Sequence, residues 1–129
     1  MKSKVYIAAY NPDSKYEDKI DCVYNYRADL PNAKQINEGD LLVSYNTKKS
    51  SRDYGMFSYA IVHKIIDTVF SGKRHKSAVY NHYIELSLLS LKSNSGEDYR
   101  ENIQHSMSRI KPALEKELLL NILKSIKHD

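Results

Sequence analysis

The sequence predicts an α+β domain: a small, curved, mostly antiparallel β-barrel with flanking helices, the last of them an amphipathic C-terminal helix. Three features predict it. Short segments of alternating polarity follow one another closely, one strand is long and apolar on both faces, and a leucine-rich run at helical spacing ends the chain. Strands this close in sequence favour antiparallel pairing, and a strand covered on both sides suits a barrel with helices packed outside. The 129 residues suffice for one core and leave little room for a second, so residues 1–129 are read as a single domain.

The first strand is Val5 to Tyr10, β-branched and aromatic, stopped by the turn signal Asn11-Pro12-Asp13. After an acidic connection, Val23-Tyr24-Asn25-Tyr26 reads as a second strand, closed by Leu30-Pro31-Asn32, where proline holds the preceding residue extended. Gly39-Asp40 opens a third strand, in which Leu41, Val43 and Tyr45 share one face while Leu42 and Ser44 point to the other. Residues 46 to 55 form a polar loop. Met56 to Ile66 is the long strand with two apolar faces, and a second basic loop follows it. From Tyr80 the alternation places Tyr80, His82, Ile84, Leu86 and Leu88 inward, with Asn81, Glu85 and Ser87 outward. Residues 92 to 97 read as a loop and Met107 to Lys111 as a short strand. Pro112 suits the first turn of a helix, where its missing N–H costs nothing. Leu114, Leu118, Leu119, Ile122, Leu123 and Ile126 then recur along one stripe.

Composition narrows the function. Hydrophobic residues at 41% and charged residues at 28% exclude wholesale disorder. No apolar run approaches the roughly 18 residues of a membrane span, and Val5 to Ala9 is too short for a signal peptide. A lone Cys22 cannot form an internal disulfide, which fits a reducing compartment, and the expected location is cytoplasmic. The net charge of +4 permits nucleic-acid binding without demanding it.

Catalytic chemistry finds few residues. The five histidines never stand three or four apart, and one thiol cannot build a cluster, so no metal and no other cofactor is expected. Ser44 lacks a glycine elbow, and Cys22 has no sequence neighbour that would lower its pKa. Glu85 stands on a strand without an acidic partner two residues away, as a nuclease site would need, and the four glycines are too dispersed to cradle phosphate. No catalytic residue is assigned.

Tyrosine is the anomaly, with eleven copies against two Phe and no Trp. Tyrosine forms strands well and the core needs aromatic residues, so many of these rings are packing. The same ring also stacks on a nucleobase while its hydroxyl hydrogen-bonds. Tyr24, Tyr26, Tyr45 and Tyr54 flank turns or strand ends, where they could line a pocket mouth. Two basic clusters, Lys48, Lys49 and Arg52, then Lys73, Arg74, His75 and Lys76, accompany Ser or Gly and read as loops that either clamp a phosphate backbone or are simply solvated.

The stretch Leu30-Pro31-Asn32-Ala33-Lys34-Gln35-Ile36, followed by Gly39-Asp40-Leu41-Leu42-Val43-Ser44-Tyr45, resembles the PUA-like superfamily. Within it, the chain is most similar to the EVE-type domains that stand beside nucleases in modification-dependent restriction. Ala60-Ile61-Val62, Tyr83-Ile84-Glu85-Leu86 and Gln104-His105-Ser106-Met107-Ser108-Arg109-Ile110 before the leucine-rich helix extend the likeness.

The resemblance implies a curved barrel whose pocket accepts one flipped nucleobase, with aromatic walls recovering stacking and basic groups holding the backbone. Carried over, Tyr24, Tyr26, Asn32, Ser44 and Tyr45 surround the pocket and Tyr54 closes its mouth. Tyr45 would be the stacking wall, and Asn32 either reads the base edge or makes the turn after Pro31. Ser106 and Arg109 either reach a phosphate or support the pocket rim. Lys48, Lys49, Arg52, Lys73, Arg74 and Lys76 contact the backbone on the strength of their charge. The tryptophans of YTH-type cages are absent. The expectation is a non-enzymatic module that binds modified DNA and targets a nuclease or motor ATPase subunit to it. RNA is the second expectation, and a protein-interaction or small-ligand module the third. The ending directly after a helix would suit the N-terminal domain of a longer chain.

Overall fold

A computed structural model describes residues 3–10, 23–30, 32–33, 35–47 and 55–127. Six strands form one sheet: β1 (Val5–Tyr10), β2 (Val23–Arg27), β3 (Leu41–Asn46), β4 (Gly55–Phe70), β5 (Lys73–Leu89) and β6 (Met107–Arg109). Their spatial order is β2-β5-β4-β3-β1-β6. Every pairing is antiparallel except β1 with β3, where Val5 faces Leu41 and Tyr10 faces Asn46. A parallel pair needs a long crossover, and here the connection carries β2 to the far edge of the sheet before returning. In keeping with the small curved barrel expected from the sequence, the sheet curls into a half-barrel, with β2 and β6 as its edges.

The curl has a local cause. Register shifts fall at Ser44/Tyr45 in β3, and at Met56/Ser58, Ile61/Val62 and Val62/Lys64 in β4. Each extra residue bends its strand and increases the twist. At the first of them Gly55 packs against β5 so tightly that a Cβ would sit 2.9 Å from the Leu89 carbonyl oxygen. The bulges also interrupt the strict alternation expected from Tyr80 onward: Leu86 is buried, whereas Leu88 is exposed.

β4 and β5 form one long hairpin whose turn is only Ser71-Gly72, with φ of 49° and 75°. Two consecutive positive φ values match the tight hairpin turn whose twist suits the flanking strands. The second basic loop expected from the sequence is therefore absent. Lys73, Arg74 and Lys76 lie in β5, directly opposite Phe70, Val69 and Asp67.

Burial divides into two cores. One face of the sheet gives Val5, Ile7, Val43, Tyr45, Met56 and Leu86, covered by Leu91, Tyr99 and Ile110 of the loop and strand region and by Leu118 and Ile122. The last two belong to α1 (Glu115–Ser125), which follows a 3-10 turn at Pro112–Leu114. Acidic Glu115 and Glu117 in its first turn and Lys124 in its last complement the helix dipole. Leu123, counted in the apolar stripe from the sequence, is exposed. The other core holds Tyr6, Ala8, Tyr24, Tyr26, Ala33, Ile36, Leu42, Val62, Ala78 and Met107. It unites side chains from both edge strands, which places it inside the curl. No helix among the described residues is long and apolar enough to cross a membrane.

Candidate nucleic-acid interface

Strand alternation decides which candidate residues can meet. In β1, Tyr6 and Ala8 point into the curl, while Val5 and Ile7 face the helix. In β2, Tyr24 and Tyr26 lie two residues apart on the inner side, their rings stacked with centroids 5.8 Å apart. Tyr6 and Tyr26 are essentially sealed from solvent, at 0% and 1% exposure. Among the described residues neither hydroxyl has a hydrogen-bond partner, and the Nε of Arg109 is buried and equally unpartnered. Arg109 comes from β6, opposite Tyr6, and its guanidinium lies 5.7 Å from the centre of that ring.

These environments perturb the phenols. Burial, reinforced by the Asp40 charge and opposed by Arg109, pushes Tyr6 up to about 12. Burial, helped by Asp67 and by Tyr6 itself, pushes Tyr26 further above the usual phenol range. Both phenols are therefore neutral hydrogen-bond donors at any physiological pH.

Asn32 sits beside this cluster with φ of 71° and donates from its side-chain Nδ2 to the Met107 carbonyl at 3.1 Å. That bond ties the β2–β3 connection to the far edge strand, a structural task for the residue expected either to read a base or to make a turn. Ser44 is buried opposite Ser58 in the β3–β4 ladder. The Ser106 carbonyl accepts from the Ala9 amide at 2.7 Å and extends the β1–β6 pairing.

Tyr45 does not join the inner tyrosines. It belongs to the core beneath α1, on the opposite face of β3 from Leu42. Arg100 covers it, with the guanidinium 5.0 Å from the ring centre and Nη1 donating to the Tyr45 hydroxyl at 3.1 Å. Arg100 is in turn held by Asp98, through Nη2 to Oδ2 at 2.8 Å. Burial alone would raise Asp98, but the hydrogen bonds and charge of Arg100 keep its carboxyl below the usual range. The physical reason for the separation is the period of two: the face that takes Val43 also takes Tyr45.

Of the basic candidates, Lys73, Arg74 and Lys76 line a cleft of about 600 Å³ together with Arg27, Ala28 and Asp29. It forms where β2 ends against the tip of the β4–β5 hairpin, the Ala28 amide donating to the Arg74 carbonyl at 3.1 Å. Arg27 grips Asp29 through two bonds of 3.0 and 2.6 Å, and Lys76 bonds Asp67 at 2.8 Å. Those bonds, with further help from Lys73 and Arg74, hold both carboxyls below their ordinary pKa. Four cations against two carboxylates leave the cleft positive, and Lys73 and Arg74 are exposed. Lys48, Lys49, Arg52 and Tyr54 lie outside the described residues.

Sequence reasoning missed a second aromatic site. Tyr10, Phe57 and Tyr83 line a cleft of about 320 Å³ together with Asn46, Glu85, Leu86, Leu88 and Lys127. Tyr10 and Phe57 meet edge to face, 5.7 Å apart and 70° between planes. In the sequence Tyr10, Phe57 and Tyr83 stand in three separate strands, and no local pattern brings them together. Searches against protein families, curated proteins and solved structures find no match for the chain.

Proposed function

We propose that the chain is a non-enzymatic nucleic-acid-binding module of the PUA-like, EVE type, which takes up a flipped, modified base of DNA and directs a restriction nuclease to it. Any nuclease or motor ATPase activity belongs to a linked or separate partner.

The observation that carries the reading is the set of orphaned donors inside the curl: the Tyr6 and Tyr26 hydroxyls and the Arg109 Nε. A buried donor without a partner costs about 1–3 kcal/mol. A base edge entering beside them would restore those bonds, and the stacked Tyr24 and Tyr26 rings offer a surface worth roughly 1–3 kcal/mol per base. Extrusion of a base costs a few kcal/mol, so the two gains are of the right size to offset it. The rings pack against Ala33, Ile36 and Met107, so a base reaches them only if these side chains give way. The positive cleft at Lys73 and Arg74 would hold the backbone.

Titration of duplexes with and without a modified base, at two salt concentrations, tests the reading. Salt-dependent binding is expected, with a preference for the modified duplex that falls in Tyr26→Phe. Tighter binding of matched RNA would transfer the reading to RNA. The absence of salt-dependent binding to either polymer would leave a protein-interaction module.

A further inference from the structure

We infer that the cleft of Tyr10, Phe57, Tyr83 and Glu85 is a binding site for guanine. This deepens the reading of the chain as a nucleic-acid binder but concerns a different cleft from the inner tyrosines. Its failure would leave salt-dependent binding at Lys73 and Arg74 untouched.

The argument begins with the walls. β1 and β3 run parallel and in register, so Tyr10 and Asn46 end side by side, and Asn46 is paired in turn with Gly55 at the start of β4. The bulge between Met56 and Ser58 sends Met56 into the core beneath α1 and leaves Phe57 against Tyr10. β5 contributes Tyr83, stacked 6.4 Å from Tyr80, and Glu85, opposite Ser58. The chain leaving α1 closes the far side: Ile126 bridges to Leu86, and the Lys127 amide donates to the Glu85 carbonyl at 3.1 Å. The backbone of Glu85 is thus held on both flanks, with its side chain exposed on the cleft lining. At about 320 Å³ the cleft is at the small end of ligand sites, a size for one planar group rather than a long chain.

Its chemistry selects among planar groups. An ionised carboxylate only accepts hydrogen bonds. Guanine alone among the common bases presents two adjacent N–H donors on its pairing edge, N1–H and N2–H. Adenine and cytosine set an acceptor beside their amino group, and uracil and thymine flank their single N–H with two carbonyls, so each would turn a lone pair toward Glu85. The aromatic rings supply stacking that any base would enjoy, and Lys127 adds a positive charge to the lining that suits a phosphate. Rings provide affinity, and Glu85 provides the choice.

Calorimetric titration with 5′-GMP, AMP, CMP and UMP, and with short single strands containing one G or none, tests this on the whole chain. GMP is expected to bind best, and Glu85→Gln to reduce its advantage over the other nucleotides roughly ten- to hundredfold, the range of one good bidentate contact. Because Glu85 is exposed, the variant should keep its circular-dichroism spectrum; Phe57→Leu, which retains bulk, should weaken all four nucleotides alike. Preference seen with GMP alone supports a free nucleotide as the ligand, and preference seen only within a strand supports a base in a polymer. Equal binding of all bases by the unmodified protein, or a guanine preference that survives Glu85→Gln, overturns the inference. In either case salt-dependent binding of long duplexes with a preference for the modified base would leave the broader reading in place.

Discussion

Tyr26→Phe separates a residue built for packing from one kept for a ligand. The substitution removes a single oxygen and leaves the ring, so the stack on Tyr24 at 5.8 Å and the contacts of the inner core persist. The oxygen it removes is buried at 1% residue exposure and has no hydrogen-bond partner among the described residues. Keeping a hydroxyl in that condition costs about 1–3 kcal/mol, so its removal, after some loss of dispersion contacts, should stabilise the fold by about 1 kcal/mol. With a urea m-value of roughly 2 kcal/mol per molar, the midpoint should rise by about 0.5 M with no change in slope. Urea unfolding followed by far-ultraviolet circular dichroism reads this directly, provided the transition is two-state. The same variant should lose base preference by about 0.5–1.5 kcal/mol, the net worth of one hydrogen bond. Greater stability with weaker recognition is the signature of a polar group retained for function. A midpoint lowered by a comparable amount would refute the reasoning, because it would mean that the hydroxyl is satisfied in the folded chain.

Three further outcomes follow from the same geometry. Tyr45→Phe should cost about 1 kcal/mol, through loss of the 3.1 Å bond from Arg100, while leaving nucleic-acid affinity unchanged; a drop in affinity at equal stability would return Tyr45 to the binding surface. Arg74→Ala should weaken all duplexes alike and lower the slope of log K against log salt by about 1, and an unchanged slope would remove that residue from the backbone contacts. Tyr6 and Tyr99 are each raised to about 12 against an ordinary value of 10.0, Tyr6 by burial and Asp40, Tyr99 by burial and its 2.7 Å bond to Glu117. Above pH 10 the unfolded chain therefore releases phenolic protons that the folded chain retains, so the stability linked to these groups is intact below pH 10 and declines as pH rises toward 12. Urea midpoints measured across that range, with phenolate absorbance alongside, should show late-titrating tyrosines; ionisation of every phenol near pH 10 with the fold intact would contradict it.

Local signals carried most of the element list. The turn residues Gly39-Asp40, the period of two in Leu41 to Tyr45, and the stripe of Leu118 and Ile122 behind Pro112 act over a few residues and need no tertiary context. The basic stretch from Lys73 went astray because a loop and a hairpin strand share the same polar composition. What separates them is a two-residue turn with both φ values positive, which Ser71-Gly72 permits but does not announce. The alternation that puts Ser44 and Tyr45 on opposite faces is equally legible, whereas the family resemblance places both around one pocket.

Residue type and short-range periodicity suffice for the strands at Val5 and Leu41, the closing helix, the excess of phenol rings and the modest positive charge. Long-range packing sets which rings share an interior, brings Arg109 of β6 over Tyr6, and makes Tyr10, Phe57 and Glu85 border one cleft. Those relations join residues up to about a hundred positions apart, through a parallel β1–β3 pairing and bulges whose positions are set by packing, which no local rule encodes.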